Sequence, residues 1–242
     1  MFIPKVEKLA LRIVNLKGGG IVDYSKPTRT RRVELPFKGG KVFVNSLLSK
    51  GNAKLDRGVL IFDTLAVYTC PHCKECKEYC YARKNQVRFP AVWNRRLINT
   101  WLAVHDIPAL ELQLTKELSR SRKKIVRIHS SGDFFSQEYL NMWGRLSSIF
   151  PEKTFYTYTK VLNNKMLDFS GILMSENVNI VDSMLSEKTP NFGDLNFVKW
   201  AEKTFGAKVC PCGFELEGSK KVVCGKDCTI CHTETKVVFL KH

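Results

Sequence analysis

Apolar side chains recur at helical spacing in three stretches of the chain. Trp93, Leu97 and Trp101 share one face of a segment from Phe89 to Asp106, and Leu110, Leu114 and Leu118 do so between Pro108 and Lys123. Tyr139, Trp143, Leu146 and Phe150 form a third stripe, predicting a helix from Ser136 to Phe150 that Pro151 stops. Aromatic residues at this spacing are expected in a core rather than as a base-stacking platform. Between these helices lie short β-rich runs. Val59 to Tyr68 (VLIFDTLAVY) reads as a buried strand, followed by strands over Lys124–His129, Lys153–Lys160 and Asn177–Asp182. Lys41 to Leu48 and Thr235 to Leu240 read as short strands, Phe197 to Phe205 as a helix and Ala207 to Cys210 as a strand.

The strand–helix–strand pattern over 124–160 is a βαβ unit, so its two strands should be parallel with a right-handed crossover. Alternation of this kind predicts an α/β fold with a mostly parallel sheet, open or curled into a partial (βα) barrel. The chain divides into an N-terminal extension over 1–58 that is partly β, an α/β core over 59–209, and a Cys-rich tail over 210–242. In the extension, Gly18-Gly19-Gly20 and Gly39-Gly40 mark turns, and Lys26 to Arg32 (KPTRTRR) is a basic loop. The triple glycine lacks the spacing of a phosphate-binding loop.

No apolar run reaches transmembrane length, and Lys5, Glu7, Lys8 and Arg12 interrupt the apolar residues at the start, a poor signal peptide. The expectation is a cytoplasmic protein without a membrane partner, in a compartment that keeps thiols reduced. There, the nine cysteines favour metal ligation over disulfides, and their odd number disfavours complete pairing. The net charge of +16 suits nucleic acid, a nucleotide or another anion as partner, although solubility explains it equally well.

The densest chemistry is TCPHCKECKEYCYARK, with Cys70, Cys73, Cys76 and Cys80 inside eleven residues at the end of the first predicted core strand. Ligands at the carboxyl end of a strand are where α/β folds place their chemistry. The C-x2-C-x2-C-x3-C spacing is that of a ferredoxin run without its proline, but a ferredoxin carries two such runs in a short chain. Zinc knuckles come as two separated C-x2-C pairs, so the crowding favours a cuboidal iron–sulfur cluster, a 4Fe-4S centre, over zinc.

A second constellation is the loop Ser130 to Phe134 (SSGDF), preceded on its strand by Arg127 and His129. One reading has Asp133 gripping a cationic amino group with His129 near the reacting centre. The other has Asp133 capping the next helix and His129 satisfied in the core. Tyr156 and Tyr158 alternate with Phe155, so one strand face either lines a cavity or packs. In the tail, Cys224-x3-Cys228-x2-Cys231 with Cys210 reads as a second metal site, an iron–sulfur cluster or a structural zinc stapling a segment too short for a core, with Cys212 and His232 as spare ligands.

Taken together, TCP…C…CYARK, then VRIHSSGDFFSQEYL, FYTYTK and the Cys-rich tail resemble the phage gene product 88 family from about Phe62 to the end. The matching positions are Cys70, Cys76 and Cys80, with Cys73 as an extra. Further matches are Arg127, His129, Ser131, Gly132 and Asp133, then Tyr158 and Thr159, then Cys210, Cys224, Cys228 and Cys231. The layout also resembles, more loosely, the radical S-adenosylmethionine enzymes. In those enzymes three cysteines leave one iron of the cluster open, an aromatic precedes the last cysteine, and a Gly-Gly-Glu stretch after the second strand holds the methionine amino group. Tyr79 before Cys80 and Ser131-Gly132-Asp133 echo these parts, while the cysteine spacing departs from C-x3-C-x2-C.

That resemblance implies a cofactor-binding set of Tyr79, Ser131, Gly132, Asp133 and Tyr158. It also implies a catalytic set of Asp133, His129 and Arg127, S-adenosylmethionine as cosubstrate and an electron donor as partner. The leading expectation is therefore a radical-SAM-like iron–sulfur protein acting on a nucleic acid or nucleotide. The rivals are a zinc-stapled nucleic-acid-binding protein without catalysis, and a cluster-bearing redox partner that needs Cys73 as a fourth ligand.

Overall fold

The structure is a computed structural model that describes residues 46–51, 55–73, 76–78, 80–162, 166–183, 203, 206, 208–209, 226, 228–233 and 237–238. Its frame is a sheet of five strands in the order β1 (Leu48–Lys50), β2 (Val59–Phe62), β3 (Ile125–Ile128), β4 (Thr154–Thr159) and β5 (Val178–Asp182). β1 is an antiparallel edge, whereas β2 to β5 run parallel in sequence order. The order has no switch point at which the winding reverses, unlike a doubly wound sheet.

Five helices connect the strands. α1 (Tyr81–Arg88), α2 (Pro90–His105) and α3 (Ile107–Arg120) join β2 to β3, α4 (Gln137–Ile149) joins β3 to β4, and the single turn α5 (Ser170–Leu173) precedes β5. The polar chain sets their limits. Pro90 opens α2, Asp106 caps α3 by accepting from the Ala109 amide, and Ser136 caps α4 by accepting from the Tyr139 amide. The tail contributes β6 (Lys208–Val209) paired in parallel with β7 (Val237–Val238), and a short helix α6 (Ile230–Thr233).

Period-two alternation divides the sheet into two faces. Leu60, Phe62, Val126, Ile128, Phe155 and Ile180 pack with Ile98, Leu102, Leu110, Leu114, Leu118, Tyr139, Trp143 and Leu146 in one core beneath the helices. Val59, Ile61, Tyr156 and Val181 cluster on the opposite face with Leu55 and with Cys231 of α6. Strands covered on both faces explain the near-continuous apolar run in β2. At the edge, Glu117 of α3 accepts from the Ser46 hydroxyl and the Leu47 and Leu48 amides, tying β1 to the helical layer.

Several expected boundaries move. The strand predicted over Val59–Tyr68 ends at Phe62, because Asp63 turns to Arg96 and Ser130 and the chain coils through Thr69, whose amide donates to Leu65 O. Leu65 and Ala66 remain buried in that coil, so their apolar character imitated a strand. Helix α1 was not anticipated: its YARKNQVR sequence carries no apolar stripe, and Cys80 caps it. The segments 41–45 and 184–202, and Phe205 with Ala207, lie outside the described residues, so the expected helix over Phe197–Phe205 does too, apart from Lys203. Among the described residues no helix is long and apolar enough to cross a membrane.

Candidate functional site

The carboxyl ends of β2, β3 and β4 meet, and hydrogen bonds fasten the loops that leave them. After β2, Asp63 accepts from Arg96 Nη2 at 3.1 Å, from the Ser130 amide at 2.7 Å and from the Ser130 hydroxyl at 2.8 Å. Thr64 N donates to Ser131 O at 3.0 Å, and the Ser131 hydroxyl returns a bond to Thr64 O at 2.9 Å. Gly132 closes this junction with φ 88°, and a Cβ there would lie 1.8 Å from Thr64 Oγ1. Only glycine meets both demands, the left-handed backbone and the missing side chain.

Asp133 is buried and ties the β3 loop to the end of β4. Its Oδ1 accepts from the Phe134 amide at 2.8 Å and the Thr159 hydroxyl at 2.6 Å, and its Oδ2 accepts from the Lys160 amide at 2.9 Å. Burial nevertheless outweighs these donors and raises its pKa to about 6. Asp133 does not cap α4, a role that Ser136 takes.

The thiol loop leaves this junction and returns through α1. Cys70 sits just past Thr69, whose hydroxyl lies 2.9 Å from that of Thr64. Cys80 Sγ accepts from the Arg83 amide at 3.4 Å. Gln86 of α1 grips Ala66 on both sides, accepting from its amide at 2.9 Å and donating to its carbonyl at 3.3 Å, while Arg96 Nη1 donates to Ala82 O at 2.8 Å. The Tyr81 hydroxyl donates to Ser130 O at 2.7 Å, joining the loop's exit to the β3 loop. Both ends of the thiol loop are thus anchored on the sheet edge.

Cys70, Cys73, Cys76 and Cys80 are all free thiols, as are Cys228 and Cys231. Burial, with Asp133 nearby, pushes the Cys70 thiol far up, and burial raises Cys76 against the opposing pull of Lys160. Both are neutral thiols at neutral pH, and a bound cation would be needed to make them thiolates. Among the described residues no three His, Cys, Asp or Glu side chains converge as a group able to hold a metal ion. The donor set fits a metal in its chemistry and its common anchorage, but the sulfurs are not preassembled.

Of the two places expected for His129, near a reacting centre or within the core, its packing matches the core. Its φ of 64° breaks the strand alternation and turns the ring into the helical layer. There Nε2 lies 2.7 Å from the Tyr139 hydroxyl, and the ring packs edge-on to Phe134 at 4.8 Å. Burial and Arg127 lower its pKa to about 3, so it is a neutral core histidine. Arg127 points to the opposite face, its guanidinium carbon 4.9 Å from the Tyr158 ring centroid and 5.9 Å from that of Tyr156.

The tail meets that same face. Asn179 Nδ2 donates to Cys231 O at 2.7 Å, Cys231 and the Tyr158 hydroxyl are hydrogen-bonded neighbours, and the His232 ring lies 4.8 Å from that of Tyr156. Cys231 is thus packed against the sheet. Cys210, Cys212, Cys224 and Tyr79 lie outside the described residues. The sequence reading missed Asp63, Arg96, Gln86 and Thr64. Their only local signal was polarity inside otherwise apolar segments.

Residues 46–195 match the family profile described as Gene product 88. The chain belongs to the Gene product 88 family. The matched span holds the whole five-stranded sheet, the thiol loop and the Ser131-Gly132-Asp133 loop. It begins earlier than the expected Phe62 and ends before the tail cysteines that the resemblance had included. The Gene 88 protein of Mycobacterium phage L5 is 27% identical over 188 residues, covering 68% of this chain and 78% of the relative. The Gene 88 protein of Mycobacterium phage D29 is 27% identical over 200 residues, covering 71% of this chain and 81% of the relative. No solved structure matches the chain.

Proposed function

We propose that this Gene product 88 protein is an iron–sulfur protein with a layout like that of the radical S-adenosylmethionine enzymes, acting on a nucleic acid or nucleotide. The observation that carries the reading is topological. Four thiols occupy the loop after the first of four parallel strands wound in one direction, and a Ser-Gly-Asp loop after the second strand is bonded directly to it. Cys70, Cys76 and Cys80 would hold the cluster, and Cys73 would be dispensable. An S-adenosylmethionine-like cosubstrate would then meet the Gly132 and Asp133 loop. An ionised carboxylate has about four acceptor positions. Three donors reach Asp133, so a position on Oδ2 remains for an amino group. The cluster would supply one-electron chemistry, which requires an electron donor as partner. The net charge of +16 suits a polyanionic substrate.

The test is purification without oxygen, with iron, sulfide and zinc measured per chain and an absorbance spectrum recorded. A brown protein with iron and sulfide is expected, retained in Cys73→Ala and lost in Cys70→Ala, Cys76→Ala or Cys80→Ala. A colourless protein carrying only zinc would overturn the reading in favour of a zinc-stapled binding protein. Loss of the cluster in Cys73→Ala would instead indicate a four-cysteine electron carrier.

A further inference from the structure

The face of the sheet opposite α2–α4 carries a cation with no ion-pair partner among the described residues. Arg127 stands at the middle of β3, half-buried, with its guanidinium wedged against the Tyr156 and Tyr158 rings. Its Nε is buried without a hydrogen-bond partner, and among the described residues no carboxylate pairs with the side chain. Asp63, the acidic group at the adjacent strand end, favours the cation through space, but its oxygens are bonded to Arg96 and Ser130. A guanidinium lying against aromatic rings keeps its N–H edge directed elsewhere, and that edge matches the two oxygens of a phosphate. Leaving a buried N–H unmet costs about 1–3 kcal/mol. Arg96 Nε is unmet as well, but that guanidinium is paired with Asp63, whereas Arg127 lacks both a partner for Nε and a paired carboxylate among the described residues.

From this geometry we infer that Arg127, Tyr156 and Tyr158 form a phosphate-binding site on the inner face of the sheet, with the guanidinium gripping the phosphate of a nucleotide-class ligand. Tyr156 is buried with its ring packed on that of His232 at 4.8 Å, and the half-buried His232 ring supplies the aromatic surface for a base. The site names the group that the proposed substrate would present. It rests on Arg127 and the tyrosines and requires no metal in the thiol loop.

Calorimetric titration of the full chain with a nucleoside 5′-monophosphate, inorganic phosphate and the unphosphorylated nucleoside tests it. Saturable binding is expected for the two phosphate compounds, tighter for the nucleotide, and weak or none for the nucleoside. Arg127→Gln should weaken both by about tenfold or more, as expected for a charge-assisted pair. Arg127→Lys, which keeps the charge but loses the fork, should fall between. Arg145→Gln removes the same charge from α4 in the helical layer and should bind like the native chain. In the native chain, the Arg127 Nε–H resonance should shift at phosphate saturation, a readout that needs no folded variant. No saturable binding, equal weakening by Arg145→Gln, or an unmoved Nε–H signal would overturn the site. Iron measured on the same samples separates this result from the cluster proposal, since either can fail while the other holds.

Discussion

Arg96 and Arg127 belong to two regions built by opposite rules. At the mouth of the sheet, Arg96 is buried and held at both terminal nitrogens, by Asp63 at 3.1 Å and by Ala82 O at 2.8 Å, with its Nε unmet. On the opposite face, Arg127 has two tyrosine rings and no ion-pair partner among the described residues, and Asp63 acts on it only through space. The mouth is a closed network in which each loop determines the position of the next, whereas the inner face holds charge in reserve. The lesson is that the same side chain reads as scaffold in one place and as recognition in the other, according to what meets its N–H groups.

The sharpest test of that contrast is to remove each cation in turn. Arg96→Met should destabilise the fold by about 3–5 kcal/mol, the cost of leaving Asp63 buried without its partner. Arg127→Met should cost less than about 1 kcal/mol, because no buried charge is orphaned. Urea denaturation of both variants measures the difference, and equal losses would mean that Arg127 is scaffold too. Gly132→Ala comes next, at about 2–4 kcal/mol, from a left-handed backbone combined with overpacking against Thr64. If its melting temperature matched that of the native chain, the junction between the two loops would not be as tight as described.

Acidification gives a smaller effect of known sign. The folded His129 takes a proton only near pH 3, against 6.5 for the ordinary side chain, so the unfolded chain binds more protons as the pH falls below 6.5. Stability from this group is present above that value and declines as the pH drops toward 3, by about 2 kcal/mol between pH 7 and 5. Asp133, with its pKa raised, acts in the opposite sense between 3.8 and about 6. The comparison is therefore the native chain against His129→Gln, which should have the flatter profile of urea midpoint against pH. Smallest of all, Arg145→Gln breaks a half-exposed pair with Glu111 and should change stability by about 0–1 kcal/mol.

Much of the helical layer was legible because it follows a period. The stripe Tyr139, Trp143, Leu146 and Phe150 is a repeat that little besides a buried helix face produces, and α4 forms there. The β3–α4–β4 unit follows from it. What escaped the sequence was set by contacts distant along the chain. β2 stops at Phe62 because Arg96 and Ser130 claim Asp63, residues 33 and 67 positions away. Asp133 was expected either at a helix cap or on a ligand, and its bonds to Thr159 and Lys160, at the end of the following strand and just past it, were not foreseen. The turn of His129 into the helical layer is a single backbone angle that no periodicity encodes. The cysteines were easy to find, while how close their sulfurs stand depends on the fold of one loop.

The bond from Asn179 to the backbone of Cys231 gives the tail's short helix the part of a roof tile. A nonsense codon between β5 and that helix would leave every strand of the main sheet encoded, yet strip the cover from Tyr156 and Tyr158. Such a shortened product would expose an aromatic surface to water, and should bind hydrophobic dyes and clump at concentrations where the full-length chain remains clear.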